Sequence, residues 1–200
     1  MNVKIEGKEY TLFIDYDRAN LVSLSNKGKI KYFDLRVKKI LLNPLKIMTK
    51  KRVFIELEPK DGSSVAWLCI VSLMCAGIEA TAGFYKGDAS RQSFLDFIYK
   101  YMNSDFKNNK FNGKTYGQCI RDYFRNGLSH GFCIKQGGVE HFPKYFEVNK
   151  YDLQMNPRYF LKDFQQAFVN YVKDLRSETP TSVTVKNFIK RFDNVFIKGQ

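Results

Sequence analysis

Apolar residues recur along this chain mostly at helical spacing, with short alternating stretches between. Residues 65–84 (VAWLCIVSLMCAGIEATAGF) are apolar nearly all round over their first fourteen positions, which predicts a central buried helix. Residues 91–102 put Phe94, Phe97, Ile98 and Tyr101 on one helical face, and residues 115–129 do the same with Tyr116, Ile120, Tyr123, Phe124 and Leu128. Residues 157–176 and 183–196 predict two closing amphipathic helices, the first started by Pro157. Residues 33–47 are also apolar at helical spacing, but Asn43-Pro44 should end or kink that helix.

The strand signals are shorter. Residues 3–6 and 10–15 flank Gly7-Lys8 and predict a small hairpin. Residues 53–58 (VFIELE) alternate as a strand, followed by a turn at residues 59–62 and a cap at Ser63 or Ser64. Residues 103–113 are polar and Asn-rich, a loop. Gly137-Gly138 between FCIKQ and VEHF predicts a hairpin turn after the helix of residues 115–129. The fold class is therefore α+β, mainly α. Residues 1–62 read as a mixed extension packing on a helical domain of residues 63–200.

Charge changes this picture. The 200 residues hold 33 Lys and Arg against 20 Asp and Glu, a net +13 with a pI near 9.5. Residues 1–62 carry 14 basic and 8 acidic groups, residues 63–112 carry 5 and 4, and residues 113–200 carry 14 and 8. The middle reads as a buried centre and the flanks as surfaces facing an anionic partner, nucleic acid being the commonest. An aromatic fraction of 16% and 44% hydrophobic residues exclude a disordered or fibrous chain. Cys69, Cys75, Cys119 and Cys133 form no CxxC pair and only two His exist, which argues against structural zinc. No secretory signal opens the chain, and the uncharged stretch 62–78 is short of a membrane span, so a reduced cytoplasm without membrane or cofactor is expected.

One stretch concentrates polar chemistry behind an apolar helix. Residues 123–132 (YFRNGLSHGF) place Asn126 directly after Arg125, and His130 five positions beyond that Arg. Five positions on a helix turn about 500°, so the two side chains would stand about 140° apart if the helix continued through both. Gly127 and Gly131 loosen its end, with Gly131 suited to the C′ position. Given 9 Arg, 2 His and 14 Asn, Arg-Asn followed by a His after four, five or six intervening residues arises by chance in about 0.02 such chains. Arg125 can pair with Asp122 as an ordinary helix ion pair. Glu79 interrupts the apolar helix; it either positions Arg125 or marks where that helix leaves the core. His141 reads as a strand-surface position. Lys38-Lys39, Lys50-Lys51-Arg52 and Lys190-Arg191 are basic clusters that suit phosphate contact or a solvated face alike.

The Arg-x4-6-His pattern with a polar residue after the Arg resembles that of HEPN domains, over about residues 63–176. The resemblance implies a helical bundle and a metal-independent ribonuclease of defence, toxin–antitoxin or RNA-processing systems. It implies Arg125 and His130 as catalytic, Asn126 as the residue orienting them, and a homodimer whose two motifs meet in one site. Some relatives carry a modifiable Tyr two residues after the motif His; here that position is Phe132. The chemistry of the residues agrees with metal-free RNA cleavage. His titrates near neutrality and can take the 2′-OH proton, while Arg presents a charged fork to phosphate oxygens. Glu79 is then a supporting residue, and Lys38, Lys39, Lys50, Lys51, Arg52 and Arg121 are expected to meet RNA. The rival expectation is a non-catalytic module of the same fold that binds RNA or an antitoxin or regulatory protein.

Overall fold

The computed structural model describes residues 2–12, 18–49, 65–131, 134–139 and 142–199. It is mainly helical, 67% helix and 12% strand, which is the α+β, mainly α class. A hairpin of β1 (Asn2–Ile5) and β2 (Lys8–Thr11) opens the chain. Its turn is Glu6-Gly7, both with positive φ (50° and 83°), one residue earlier than the sequence suggests. Next come α1 (Arg18–Val22) and α2 (Asn26–Val37). Beyond α2 the helix does not stop at Asn43-Pro44. It widens to π geometry over Lys38–Leu42 and resumes as α3 (Asn43–Met48). The Asn43 N–H reaches back five residues to the Lys38 carbonyl, so the turn is widened directly before Pro44, whose ring and missing N–H a regular i→i−4 turn would not accommodate.

Helix α4 (Val65–Lys86) is the centre of the fold. By length and composition Trp67–Lys86 could cross a membrane, yet 61% of its most apolar stretch is buried inside the fold. Ile70, Val71, Met74 and Ile78 lie fully buried within a core to which the surrounding helices also contribute. Helix α5 (Arg91–Tyr101) starts on Ser90, whose hydroxyl accepts from Ser93 N. The segment read as a loop contains α6 (Asp105–Asn108) and a tight hairpin, β3 (Lys110–Phe111) and β4 (Lys114–Thr115). Asn112-Gly113, with φ of 48° and 76°, supplies its turn. A continuous helical run follows: α7 (Tyr116–Cys119), a π segment Ile120–Arg125, and α8 (Asn126–Gly131).

The strands after this run correct the sequence reading. Gly137-Gly138 is no turn but part of β5 (Gly137–Val139), parallel to β7 (Leu153–Met155), which pairs antiparallel with β6 (Phe146–Val148). A Cβ at Gly137 would stand 2.6 Å from the Leu153 carbonyl and 2.9 Å from the Phe124 ring, so close packing is what this glycine serves. The hairpin turn comes later, where the Asn149 side chain accepts from the backbone N–H groups of Tyr151 and Asp152. Helix α9 (Pro157–Ser177) is capped by Asn156 with Pro157 in its first turn, as expected. Helix α10 (Val183–Phe192), capped by Ser182, runs into a last π segment, Asp193–Lys198.

Phe33 of α2 contacts Phe84, Phe168 and Phe188, and Tyr32 contacts Phe192 and Phe196. The described part of residues 1–62 therefore shares the core of the helices that follow. The expected boundary at residue 62, the strand at 53–58 and the turn and cap after it lie outside the described residues.

Candidate active site

The motif helix is fixed at its start by a capping box. Thr115 Oγ1 accepts from Gln118 N at 3.2 Å, and Gln118 Oε1 accepts from Thr115 N at 2.9 Å. The widening to π geometry then sets which side chains share a face. In an α-helix residues five apart diverge by about 140°. The i→i+5 bonding of Ile120–Arg125 enlarges the turn and makes such residues neighbours. Asn126 consequently stands beside Arg121 and Arg125, and both Arg reach Glu79 of α4.

Arg125 donates from Nε (3.0 Å) and Nη2 (2.7 Å) to Glu79 Oε2, and from Nη1 (3.1 Å) to Asn126 Oδ1. Arg121 Nη1 donates to the same Asn126 oxygen, while its Nη2 lies 3.8 Å from Glu79 Oε1. Asn126 and Glu79 thus hold two guanidinium groups side by side. The cluster carries a net charge of +1 and is largely shielded: the side chains of Arg121, Glu79 and Arg125 are 13%, 20% and 23% exposed. Burial, reinforced by the Arg125 charge, lowers the pKa of Arg121, whose guanidinium lies over the Phe94 ring. One turn before Glu79, burial pushes the Cys75 thiol up to about 12, so it remains protonated beside the cluster.

Three of the five Arg125 N–H donors are engaged among the described residues, leaving one on each terminal nitrogen. Asp122 is not its partner. That carboxylate takes Lys114 at 2.8 Å and Arg91 at 3.1 Å on a different face. Of the two roles open to Glu79, positioning Arg125 is the one its hydrogen bonds fit.

His130 falls in the last turn of α8, and the helix does continue through both it and Arg125. The two backbone positions are therefore about 140° apart around one axis. The His130 side chain, Phe132 and His141 lie outside what is described, as do Lys50, Lys51 and Arg52. Lys38 is on the π segment after α2, 2.7 Å from Asp34, and Lys39 beside it is half-buried. Arg121, expected at an RNA surface, is instead inside the Glu79–Asn126 network. Its role there had a sequence signal: two Arg four apart on a helix repel unless an acid lies between them. No cluster of His, Cys, Asp and Glu able to hold a metal occurs among the described residues. No family model, curated protein or solved structure matches the chain.

Proposed function

We propose that the chain is a metal-independent endoribonuclease of HEPN type, working as a homodimer in a defence or toxin–antitoxin setting. His130 takes the proton of a ribose 2′-OH, the 2′-oxygen attacks phosphorus, and the 5′-oxygen leaves with a proton. The products are a 2′,3′-cyclic phosphate and a 5′-hydroxyl. Arg125 stabilises the charge growing on the phosphoryl oxygens. The observation carrying this reading is the Arg125 guanidinium, locked by Glu79 and Asn126 with one N–H spare on each terminal nitrogen. It stands on the same helical run whose last turn carries His130. Preorganisation of this kind is what stabilising a transition-state anion requires.

Incubation with labelled RNA in EDTA tests it. Wild type should cleave, Arg125→Ala and His130→Ala should not, and substrate with 2′-deoxy linkages should survive. Uncut RNA with wild type would sink the proposal. The second reading is a non-catalytic module that binds RNA or a partner protein, and one observation favours it. The Glu79 carboxylate already offsets the Arg125 charge that a phosphate would need. Under that reading wild type and His130→Ala bind RNA equally and neither cuts it.

A further inference from the structure

Helix α9 sorts its charges. Arg158, Lys162, Lys173 and Arg176 are spaced 4, 11 and 3 residues apart, whole numbers of helical turns, and all four are exposed. Its acids turn elsewhere: Asp163 accepts from Tyr145 Oη and Asn103 N, and Asp174 accepts from Tyr101 Oη beside Lys100. Facing α9 is the run α2–α3, where residues 18–49 hold eight basic residues and one acidic. That acid, Asp34, is buried and lies 2.7 Å from both Lys38 and Arg176, tying the two rows together.

Between the rows runs a groove of three successive hollows of about 420, 390 and 300 Å³. The first lies between the start of α2 and the end of α9, over Ile30, Leu175 and Val185. The second adjoins it at Arg176, over Val169 and Val172, and the third lies between Lys46 and Leu161. The floor of the first two hollows is apolar, the third holds Leu161 among polar side chains, and the rims are basic except for Glu178 in the first. From Arg158 to Arg176 the groove is about 27 Å long. Lys27, Lys31, Lys46, Arg158, Lys162 and Lys173 line it, and among the described residues none has a salt bridge. It lies across α4 from Arg125. Gly77 faces Leu41 and Phe164 on the groove side, and Glu79 is about 200° further round.

We infer that this groove docks an acidic amphipathic helix of a partner protein. Its apolar ridge fills the hollows and its flanking carboxylates meet the two basic rows. Six basic residues without a salt bridge stand against one acid, Glu178, along the groove; they repel one another, and an anionic partner relieves them. A nucleic-acid strand would supply the anions, but its bases stack on aromatic rings, and the floor offers aliphatic side chains such as Ile30, Val169 and Leu175. The inference does not depend on the nuclease reading, because it uses none of the motif residues.

Fluorescence anisotropy on the whole chain tests it with three probes. They are a labelled peptide of about 20 residues with Leu at i, i+3, i+4 and i+7 flanked by Glu, a scrambled isomer, and a single-stranded RNA of similar length. The amphipathic peptide should bind at least about ten-fold tighter than its isomer. Lys31→Glu with Lys173→Glu should weaken it by about ten-fold or more, and Val169→Asp should weaken it too. Lys31→Gln with Lys173→Gln repeats the measurement without introducing repulsion. Equal binding of peptide and isomer, or no binding of either, overturns the inference. So does RNA binding that the charge variants abolish while the peptide is unaffected, which would make the groove a nucleic-acid surface.

Discussion

Glu79 is the residue on which two guanidinium groups depend. It is the carboxylate within ion-pair distance of both Arg121 and Arg125 among the described residues, and it is 20% exposed. Glu79→Gln keeps the shape but leaves two shielded cations with only neutral acceptors, its own amide oxygen and that of Asn126, between them. Breaking a partly buried pair in this way costs about 2 kcal/mol. In a chain of this size that lowers Tm by roughly 4–8 °C. Differential scanning fluorimetry reads it, and an unchanged Tm would mean the network contributes nothing to the fold. Cys75 supplies a second residue-scale prediction. Burial raises it to about 12 and the buried Cys119 to about 11, whereas Cys69 is exposed. For an acid whose folded pKa is raised, stability is intact below the unfolded value near 8.5 and falls as pH climbs toward the folded one. The native protein should therefore lose stability between about pH 9 and 12, and Cys75→Ala should flatten that loss. At pH 8, iodoacetamide followed by peptide mass mapping should find Cys69 alkylated well before Cys75 or Cys119.

Elements meet where glycine lets them. A Cβ at Gly77 would stand 2.4 Å from Leu41 Cδ2 and 3.1 Å from the Phe164 ring, so α4, α9 and the π segment before α3 close up at this point. Gly77→Ala improves helix propensity by up to about 1 kcal/mol, but overpacking costs about 1–3 kcal/mol. The clash should win, giving a lower urea midpoint with unchanged slope; a raised midpoint would show that Leu41 yields freely. Thr115→Ala removes the cap of the motif helix and a 2.6 Å contact with Tyr99 Oη, and should cost about 1–2 kcal/mol by the same titration. How far each element was legible follows from what fixes it. Helix α4 could be read because it is apolar nearly all round over its first fourteen residues, and α9 because Pro157 announces its start. The π widening at Lys38–Leu42 could not. Pro44 signals a break, and whether the helix stops or bulges is decided by packing, here of Leu42 and Leu45 into the core. Gly137-Gly138 misled for a related reason: a glycine pair marks a turn or a close approach, and Phe124 and Leu153, distant in sequence, choose the second. At the candidate site, Arg125 and Asn126 were readable as a pair. Arg121 was signalled only by its like charge four residues before Arg125; its bond to Asn126 was not, since that depends on a π turn that places residues five apart side by side.

The whole molecule bears on the site through the helix that carries it. Because that helix is continuous from Tyr116 to Gly131, the backbone positions of Arg125 and His130 in one chain stand about 140° apart around one axis. Under the nuclease reading, a ribose-phosphate linkage held at one of these positions is out of line with the other, and a second copy supplies the missing group. Two-fold pairing of the motif helices would bring both motifs into one composite cleft, with Arg125 of one protomer toward His130 of its partner and the symmetric pair beside it. This predicts complementation. Arg125→Ala and His130→Ala are each inactive as homodimers, since every such pair in them lacks one group. Refolded together at equal amounts, about half the molecules are heterodimers, and each has one pair with both groups intact. RNA cleavage should then recover to about a quarter of wild type. If the two groups instead act within one chain, no mixture contains an intact pair and cleavage stays at background. The variants' sedimentation, matched to wild type, separates that outcome from a mixture that never exchanged protomers.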